Sequence, residues 1–316
     1  MLDPDIRLLL DTVFAVPPSS VGPDIALLRA AAEEAPKRLG GDVQPVASID
    51  EVTAPGPSGQ VPLRVYRPFA SQPLPCVLYA HGGGWVTGSL DSHDRLCRLL
   101  ASRLPAVLVA VNYRCAPEHV FPAALDDFEA AWHWSSTRSK TLGADGVRMA
   151  VAGDSSGGNL AAALTLRLRG ARAPQPALQL LLYPALDATC SRASYRRFAT
   201  GYNLAGAQMA WYWHVYRAGA DVANAELSPL AAKDLSALPP AVVAVAEADV
   251  LRDDGLDYAR RLEAAGVAVS IVDCAGMIHG FLRWTGEVPA ASGWIDAIAA
   301  AARELLLSRP VREAVK

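Results

Sequence analysis

Along the chain, short runs of consecutive apolar residues alternate with longer stretches in which apolar positions recur every three or four residues. The runs VLYA (77–80), AVLVAV (106–111), VRMAVAG (147–153), LQLLLYP (178–184), AVVAVAE (241–247) and VAVSIVD (267–273) are continuous, as strands buried on both faces are. Between them, helical periodicity predicts segments around 92–104, 122–138, 157–169, 254–265 and 292–307. Such alternation is the signature of βαβ units, so the pattern predicts an α/β fold with a mostly parallel central sheet flanked by helices. GQVPLRVYRP (59–68) precedes the first run and reads as an antiparallel edge strand. Two regions break the alternation. About 1–45 is helical in pattern, and about 188–226, which contains YNLAGAQMAWYWHVYR, interrupts the sheet. Both read as a helical cap over the sheet, within a single domain of 1–316. No internal repeat, low-complexity tract or long linker appears.

Composition narrows the function classes. Apolar residues make up 52% of the 316, yet every apolar run stops well short of the ~18 residues of a membrane span. A formal net charge of -3 offers no basic patch for nucleic acid or an anionic membrane. The opening MLDPDIRLLLDTVFAVPP carries Asp3, Asp5 and Asp11 and lacks a basic leader, so it is a poor signal peptide and a cytoplasmic location is expected. Five cysteines, Cys76, Cys97, Cys115, Cys190 and Cys274, are scattered without a C-x-x-C pair. They read as reduced core residues, not as a disulfide framework or zinc site. Scattered histidines and the lack of an H-E-x-x-H motif point to no metal and no cofactor. The expected partner is a small molecule, and the expected state is a monomer or homodimer.

Two glycine-rich stretches carry the chemistry. YAHGGGWVTG (79–88) sets three glycines directly after the run LPCVLYA. Each costs roughly 0.5–1 kcal/mol of backbone entropy against alanine in regular structure. A tight turn is the simpler role for a Gly-Gly pair. Three glycines behind a histidine imply a loop whose bare backbone is itself used. The second stretch, VAGDSSGGNLAAALTLRLRG, places Gly153-Asp154-Ser155-Ser156-Gly157 between a strand and an alanine-rich helix. That fits the G-x-S-x-G nucleophile elbow in the context the elbow requires, with helix N–H groups aimed at the reacting oxygen. Gly157 and Gly158 as plain helix-packing glycines is the bland alternative.

A serine hydroxyl needs a base to take its proton, and the base needs a third group to hold its tautomer. With this elbow the chain order is serine, acid, histidine. His214 and His279 follow Ser155. His214 lies in the aromatic run and reads as a packing or surface residue. His279, in AGMIHGF, falls in a loop just past the last strand and is the natural base. Asp249, just past the strand in AVVAVAEADVLRDDG, is the natural acid. Asp253 and Asp254 precede a helix and suit an N-cap. In MAWYWHVY, i, i+4 spacing pairs Met209 with Trp213 and Tyr212 with Tyr216. Packing on the core explains most of these, and Trp85, Met209 and Trp213 are candidate pocket residues.

Taken together, His81-Gly82-Gly83-Gly84, YRCAPEHVFPAALDD (113–127), GDSSGGNLA (153–161), YPALD, LPPAVVAVAEADVLRDDG and MIHGF resemble the hormone-sensitive-lipase-like group of α/β-hydrolases, in its bacterial carboxylesterase branch. The resemblance runs from about residue 50 onward. It implies the α/β-hydrolase fold and a Ser155, Asp249 and His279 triad. It also implies an oxyanion hole of Gly83, Gly84 and Ser156 N–H groups, with His81 and Gly82 supporting the loop. Hydrolysis of short-to-medium acyl esters through an acyl-enzyme is the implied activity. Amide or lactone hydrolysis uses the same triad, and some plant hormone receptors of similar fold bind ligands after losing the histidine, which this chain retains. Departures from the family pattern are Ser156 for alanine, Asn112 for aspartate, Cys115 for leucine, and Val120 and Val250 for prolines. None removes a reacting group.

Overall fold

A computed structural model describes residues 1–14 and 24–307 of the chain. Its described residues form one eight-stranded sheet: β1 (Ser48–Gly56), β2 (Gly59–Arg67), β3 (Leu74–Ala80), β4 (Val107–Val111), β5 (Ala144–Asp154), β6 (Leu178–Leu182), β7 (Ala241–Ala248) and β8 (Val269–Ile278). The spatial order is β1-β2-β4-β3-β5-β6-β7-β8. All pairings from β4 to β8 are parallel, whereas β1 pairs β2 and β2 pairs β4 antiparallel. The continuous valine, leucine and alanine runs occupy the middle of the sheet, and every residue of β4 and β6 is buried. Central parallel strands are covered on both faces and have no polar side to show.

Two strand expectations are corrected. GQVPLRVYRP is antiparallel but not an edge, because β1 lies outside it in register from Ser48 opposite Arg67 to Gly56 opposite Gly59. β1 (SIDEVTAPG) has one buried residue, Ala54, so it carries no apolar run to read. At the other end, VAVSIVD is not buried on both faces: β8 is the far edge of the sheet, and its first five residues are half-buried or exposed.

Nine helices connect and flank the strands in the described residues: α1 (Pro4–Thr12), α2 (Ile25–Leu39), α3 (Asp94–Arg103), α4 (Ala123–Arg138), α5 (Ser156–Gly170), α6 (Ala193–Arg197), α7 (Gly206–Arg217), α8 (Arg252–Ala264) and α9 (Pro289–Leu307). α3 packs beside α9, α4 beside α5, and α8 covers β7 and β8. The region read as a sheet interruption holds α6 and α7, and the helical amino-terminal region holds α1 and α2. Among the described residues no helix is long and apolar enough to cross a membrane.

Candidate active site

β5 ends at Asp154 and α5 begins at Ser156, which leaves Ser155 alone to turn the chain. Its backbone sits at φ 56°, ψ −118°, a sparsely populated region that costs on the order of 1–3 kcal/mol unless its surroundings hold it. They do so through three hydrogen bonds. Ser155 N–H donates to the Leu182 carbonyl at 2.8 Å, and the Ser155 carbonyl accepts from Asn159 N–H at 3.1 Å and Ala185 N–H at 3.2 Å. The flanking glycines follow from the same crowding. A Cβ on Gly153 would strike the Gly157 carbonyl, and one on Gly157 would strike the Ala80 carbonyl.

Ser155, Asp249 and His279 each lie immediately past the carboxyl end of a strand: β5, β7 and β8. Parallel pairing brings these ends to one edge of the sheet, where α/β proteins place their ligand sites. Ser155 Oγ–H donates to His279 Nε2 at 3.0 Å, and His279 Nδ1–H donates to Asp249 Oδ2 at 2.7 Å. The other Asp249 oxygen accepts Leu251 N–H at 2.9 Å, and the carboxylate is only 1% exposed. The imidazole is held edge-on to the Tyr183 ring, centroids 4.9 Å apart. In this order a hydroxyl faces a basic nitrogen whose tautomer is fixed by a buried carboxylate, an arrangement that can deprotonate the hydroxyl as it attacks.

The neighbouring aspartates do other work, and the N-cap expectation for two of them is corrected. The N-cap residue of α8 is Leu251, whose side chain cannot cap it, and the first-turn N–H of Asp253 donates to Ser194 Oγ at 3.3 Å instead. Asp253 accepts Ser194 N–H at 2.8 Å. Fully buried Asp254 instead reaches the loop after β6, where Oδ2 accepts the N–H groups of Leu186 and Asp187, both at 3.0 Å. Burial pushes its carboxyl well above the ordinary range, despite these two bonds. Asp257 lies inside α8, paired with Arg192 and Arg260.

Across from the elbow, the loop after β3 turns at Gly83 (φ 122°) and Gly84 (φ 62°). A Cβ on Gly83 would overlap the Thr87 carbonyl and one on Gly84 the Tyr212 ring, so both positions need glycine for space as well as for φ. The N–H groups of Gly83, Gly84 and Ser156 meet no acceptor among the described residues, the last because it opens α5. Gly82 differs: its N–H donates to Asp154 Oδ1 at 2.7 Å, which also accepts Tyr79 O–H at 2.7 Å. Burial alone would raise the Asp154 carboxyl, but its contact with His93, the nearby Arg283 charge and the Tyr79 hydrogen bond outweigh it and hold the group below its usual value. His81 is buried, stacks on Tyr113 at 4.2 Å and donates from Nδ1 to the Gly82 carbonyl at 2.8 Å. Burial, with His93 nearby, lowers its pKa to about 3, so it sits beneath the loop as a neutral ring.

Ser155 and His279 open into a cavity of about 220 Å³ bounded by Gly83, Gly84, Leu28, Met209, Tyr212 and Arg283. Of the three candidate pocket residues only Met209 lines it. Trp85 and Trp213 are buried in an aromatic stack instead, with centroids 4.3 Å apart and Trp85 lying flat on Tyr216 at 4.4 Å. His214 is exposed on α7. Sequence reasoning missed the α2 side of the cavity, which has no motif, and Arg283, four residues past His279. α2 is tied down by Arg29, whose guanidinium donates to the Val86 and Ala116 carbonyls at 2.9 and 3.1 Å while pairing with Glu118. The clamp joins this helix to the glycine loop itself.

Residues 77–283 match the family model described as alpha/beta hydrolase fold. The chain is 40% identical over 291 residues to the carboxylic ester hydrolase LipN of Mycobacterium tuberculosis, covering 89% of this chain and 77% of that protein. It is 43% identical over 228 residues to an ethyl acetate hydrolase of Pseudomonas putida, covering 71% and 72%. Among solved structures it resembles the ester-hydrolase EH1AB1 from the metagenome of Lake Arreo, with a TM-score of 0.91 and 38% identity over 96% of this chain and 99% of that one. The chain belongs to the α/β-hydrolase-fold family, in its hormone-sensitive-lipase-like group.

Proposed function

We propose that the protein is a serine carboxylesterase that cleaves short-to-medium acyl esters through an acyl-enzyme. Ser155 Oγ attacks the ester carbonyl carbon while His279 Nε2 takes its proton and Asp249 stabilises the resulting imidazolium. The carbonyl oxygen becomes an oxyanion and is met by the N–H groups of Gly83, Gly84 and Ser156. His279 then returns the proton to the leaving alkoxide oxygen, and water repeats the cycle on the acyl-enzyme to release the acid. α1, α2, α6 and α7 act as the cap, of which α2 and α7 line the pocket. The observation that carries this reading is the Ser155–His279–Asp249 relay, at 3.0 and 2.7 Å, opening into the same cavity as two unpaired glycine N–H groups. The relatives named for ester hydrolysis support the choice of substrate.

The cavity volume supports the limit on chain length. About 220 Å³ is below the ~300–1,000 Å³ of sites for drug-sized ligands. Hydrolysis of 4-nitrophenyl butanoate, octanoate and palmitate, run beside an aryl amide and a lactone, tests the proposal. Butanoate is expected to exceed palmitate in kcat/KM and to exceed the amide and lactone. Faster turnover of emulsified palmitate, or of the amide, would overturn it.

A further inference from the structure

Arg283 differs from the enclosed arginines that are held by carboxylates. Arg64 meets Glu51, Asp91 and Asp94, and Arg167 meets Asp126, Glu129 and Glu226. Arg283, half-buried in the turn Phe281–Arg283 that follows His279, has no ion pair or side-chain hydrogen bond among the described residues, and its Nε is buried without a partner. It lines the cavity that Ser155 and His279 open into. A guanidinium presents five N–H donors in a rigid fork, and leaving buried donors of a charged group unmet is costly. The nearest candidate for its partner is Asp154, which lines the same cavity. The Oδ1 oxygen of that carboxylate meets Tyr79 O–H, Gly82 N–H and, at 3.3 Å, His93 Nε2; the Arg283 charge helps to hold Asp154 ionised, but the two side chains form no ion pair or hydrogen bond. The open fork therefore faces the space that the substrate occupies.

We propose that Arg283 is a specificity-determining residue, and that the preferred substrates are small esters carrying a carboxylate of their own, such as half-esters of short dicarboxylic acids. The inference rests on the hydrolase reading. A carboxylate matches the guanidinium fork in two parallel N–H···O bonds, and the small cavity keeps the spacer between carboxylate and scissile ester short. Phe14 and Trp284, whose rings pack at 5.0 Å, give the cavity an apolar wall, and Asp154, Asn203 and Gln208 add polar groups to it. Low local dielectric strengthens such a pair.

The test compares monomethyl succinate, glutarate and adipate with methyl butanoate, followed by pH-stat, for wild type, Arg283→Met and Arg283→Lys. The ratio of kcat/KM for the best half-ester to that for methyl butanoate is expected to fall at least about tenfold in Arg283→Met and to recover in part in Arg283→Lys, because a charged partner is replaced by an apolar one. An unchanged ratio overturns the proposal. A second arm uses wild type alone, so a misfolded variant cannot obscure the answer: glutarate is expected to inhibit methyl butanoate hydrolysis roughly tenfold more tightly than its neutral diamide, glutaramide, does, and progressively less so as salt is raised. Equal inhibition overturns it. If no ester is hydrolysed at all, the hydrolase reading fails, and calorimetric titration of glutarate decides the subsite by itself. Binding lost in Arg283→Met upholds it, and no binding to wild type removes it.

Discussion

Replacing Asp249 by asparagine isolates the acid's role, because the structure shows what the amide must do. The carboxylate accepts two buried donors, His279 Nδ1–H on Oδ2 at 2.7 Å and Leu251 N–H on Oδ1 at 2.9 Å. Asparagine has one accepting oxygen. If that oxygen faces His279, the amide nitrogen meets Leu251 N–H donor to donor, at a cost of about 1–3 kcal/mol for an unmet buried group. If it faces Leu251, the amide N–H₂ meets His279 Nδ1, and the ring relieves the clash by moving its proton to Nε2. The second arrangement keeps every hydrogen bond, so it should dominate. It also points Nε2–H at Ser155 Oγ, where a lone pair is needed. Asp249→Asn is therefore expected to lower kcat by about 10⁴, or about 5 kcal/mol in barrier, with little change in Tm. Asp253→Asn is the control, since Ser194 N–H can bond the amide oxygen as it does the carboxylate. Steady-state kinetics and thermal melts of the two purified variants decide the matter. A dead Asp253→Asn beside a normal Asp249→Asn would refute the assignment, and an unfolded Asp249→Asn would refute the hydrogen-bond argument.

Three further outcomes are expected. Gly84→Ala should reduce kcat by about 10²–10³ on any ester, because the new Cβ overlaps the Tyr212 ring and displaces a proposed oxyanion donor; unaltered kcat would remove Gly84 from that role. His81, lowered to about 3 by burial and by His93, stays neutral in the fold while the unfolded chain takes up a proton near pH 6.5. Its stabilising contribution is therefore complete above about pH 6.5 and is lost as pH falls toward 3, by up to about 1.4 kcal/mol per pH unit; Tm should fall along this range, and His81→Asn should flatten the slope, so parallel slopes would contradict the assignment. Asp254→Asn should fold and turn over close to wild type, since burial already favours the neutral carboxyl and the amide oxygen can still accept from Leu186 and Asp187. Asp254→Ala should lose about 2–6 kcal/mol in a denaturant melt, about 1–3 for each of the two orphaned N–H groups, and equal melts for both variants would be inconsistent with this role.

What the sequence disclosed and what it hid follow from how each residue is used. Strands in the middle of the sheet face apolar neighbours on both sides, so their runs are unbroken and readable. β1 and β8 lie at the edges, and one shows almost no apolar run while the other shows a run whose burial it lacks. The separations between Ser155, Asp249 and His279 hide nothing, because each follows directly on a recognisable strand. The partners of Asp254, by contrast, lie 68 and 67 residues back in the chain, and an acid near a helix start looks like a cap until the fold supplies them. Trp85 and Trp213 illustrate a different limit. Aromatic residues that wall a pocket and aromatic residues that stack beneath it have the same spacing, and only the packing tells them apart. Arg283 was invisible for a related reason: nothing in IHGFLRW marks an arginine that forms no ion pair among the described residues.

The central claim is that Ser155, and no other serine, is the activated nucleophile. Treatment with a fluorophosphonate probe, followed by intact mass and peptide mapping, tests it directly. The account predicts one adduct per chain, on Ser155, formed in step with loss of esterase activity and absent from Ser155→Ala. An adduct on any other residue, or full loss of activity with Ser155 unmodified, would contradict it.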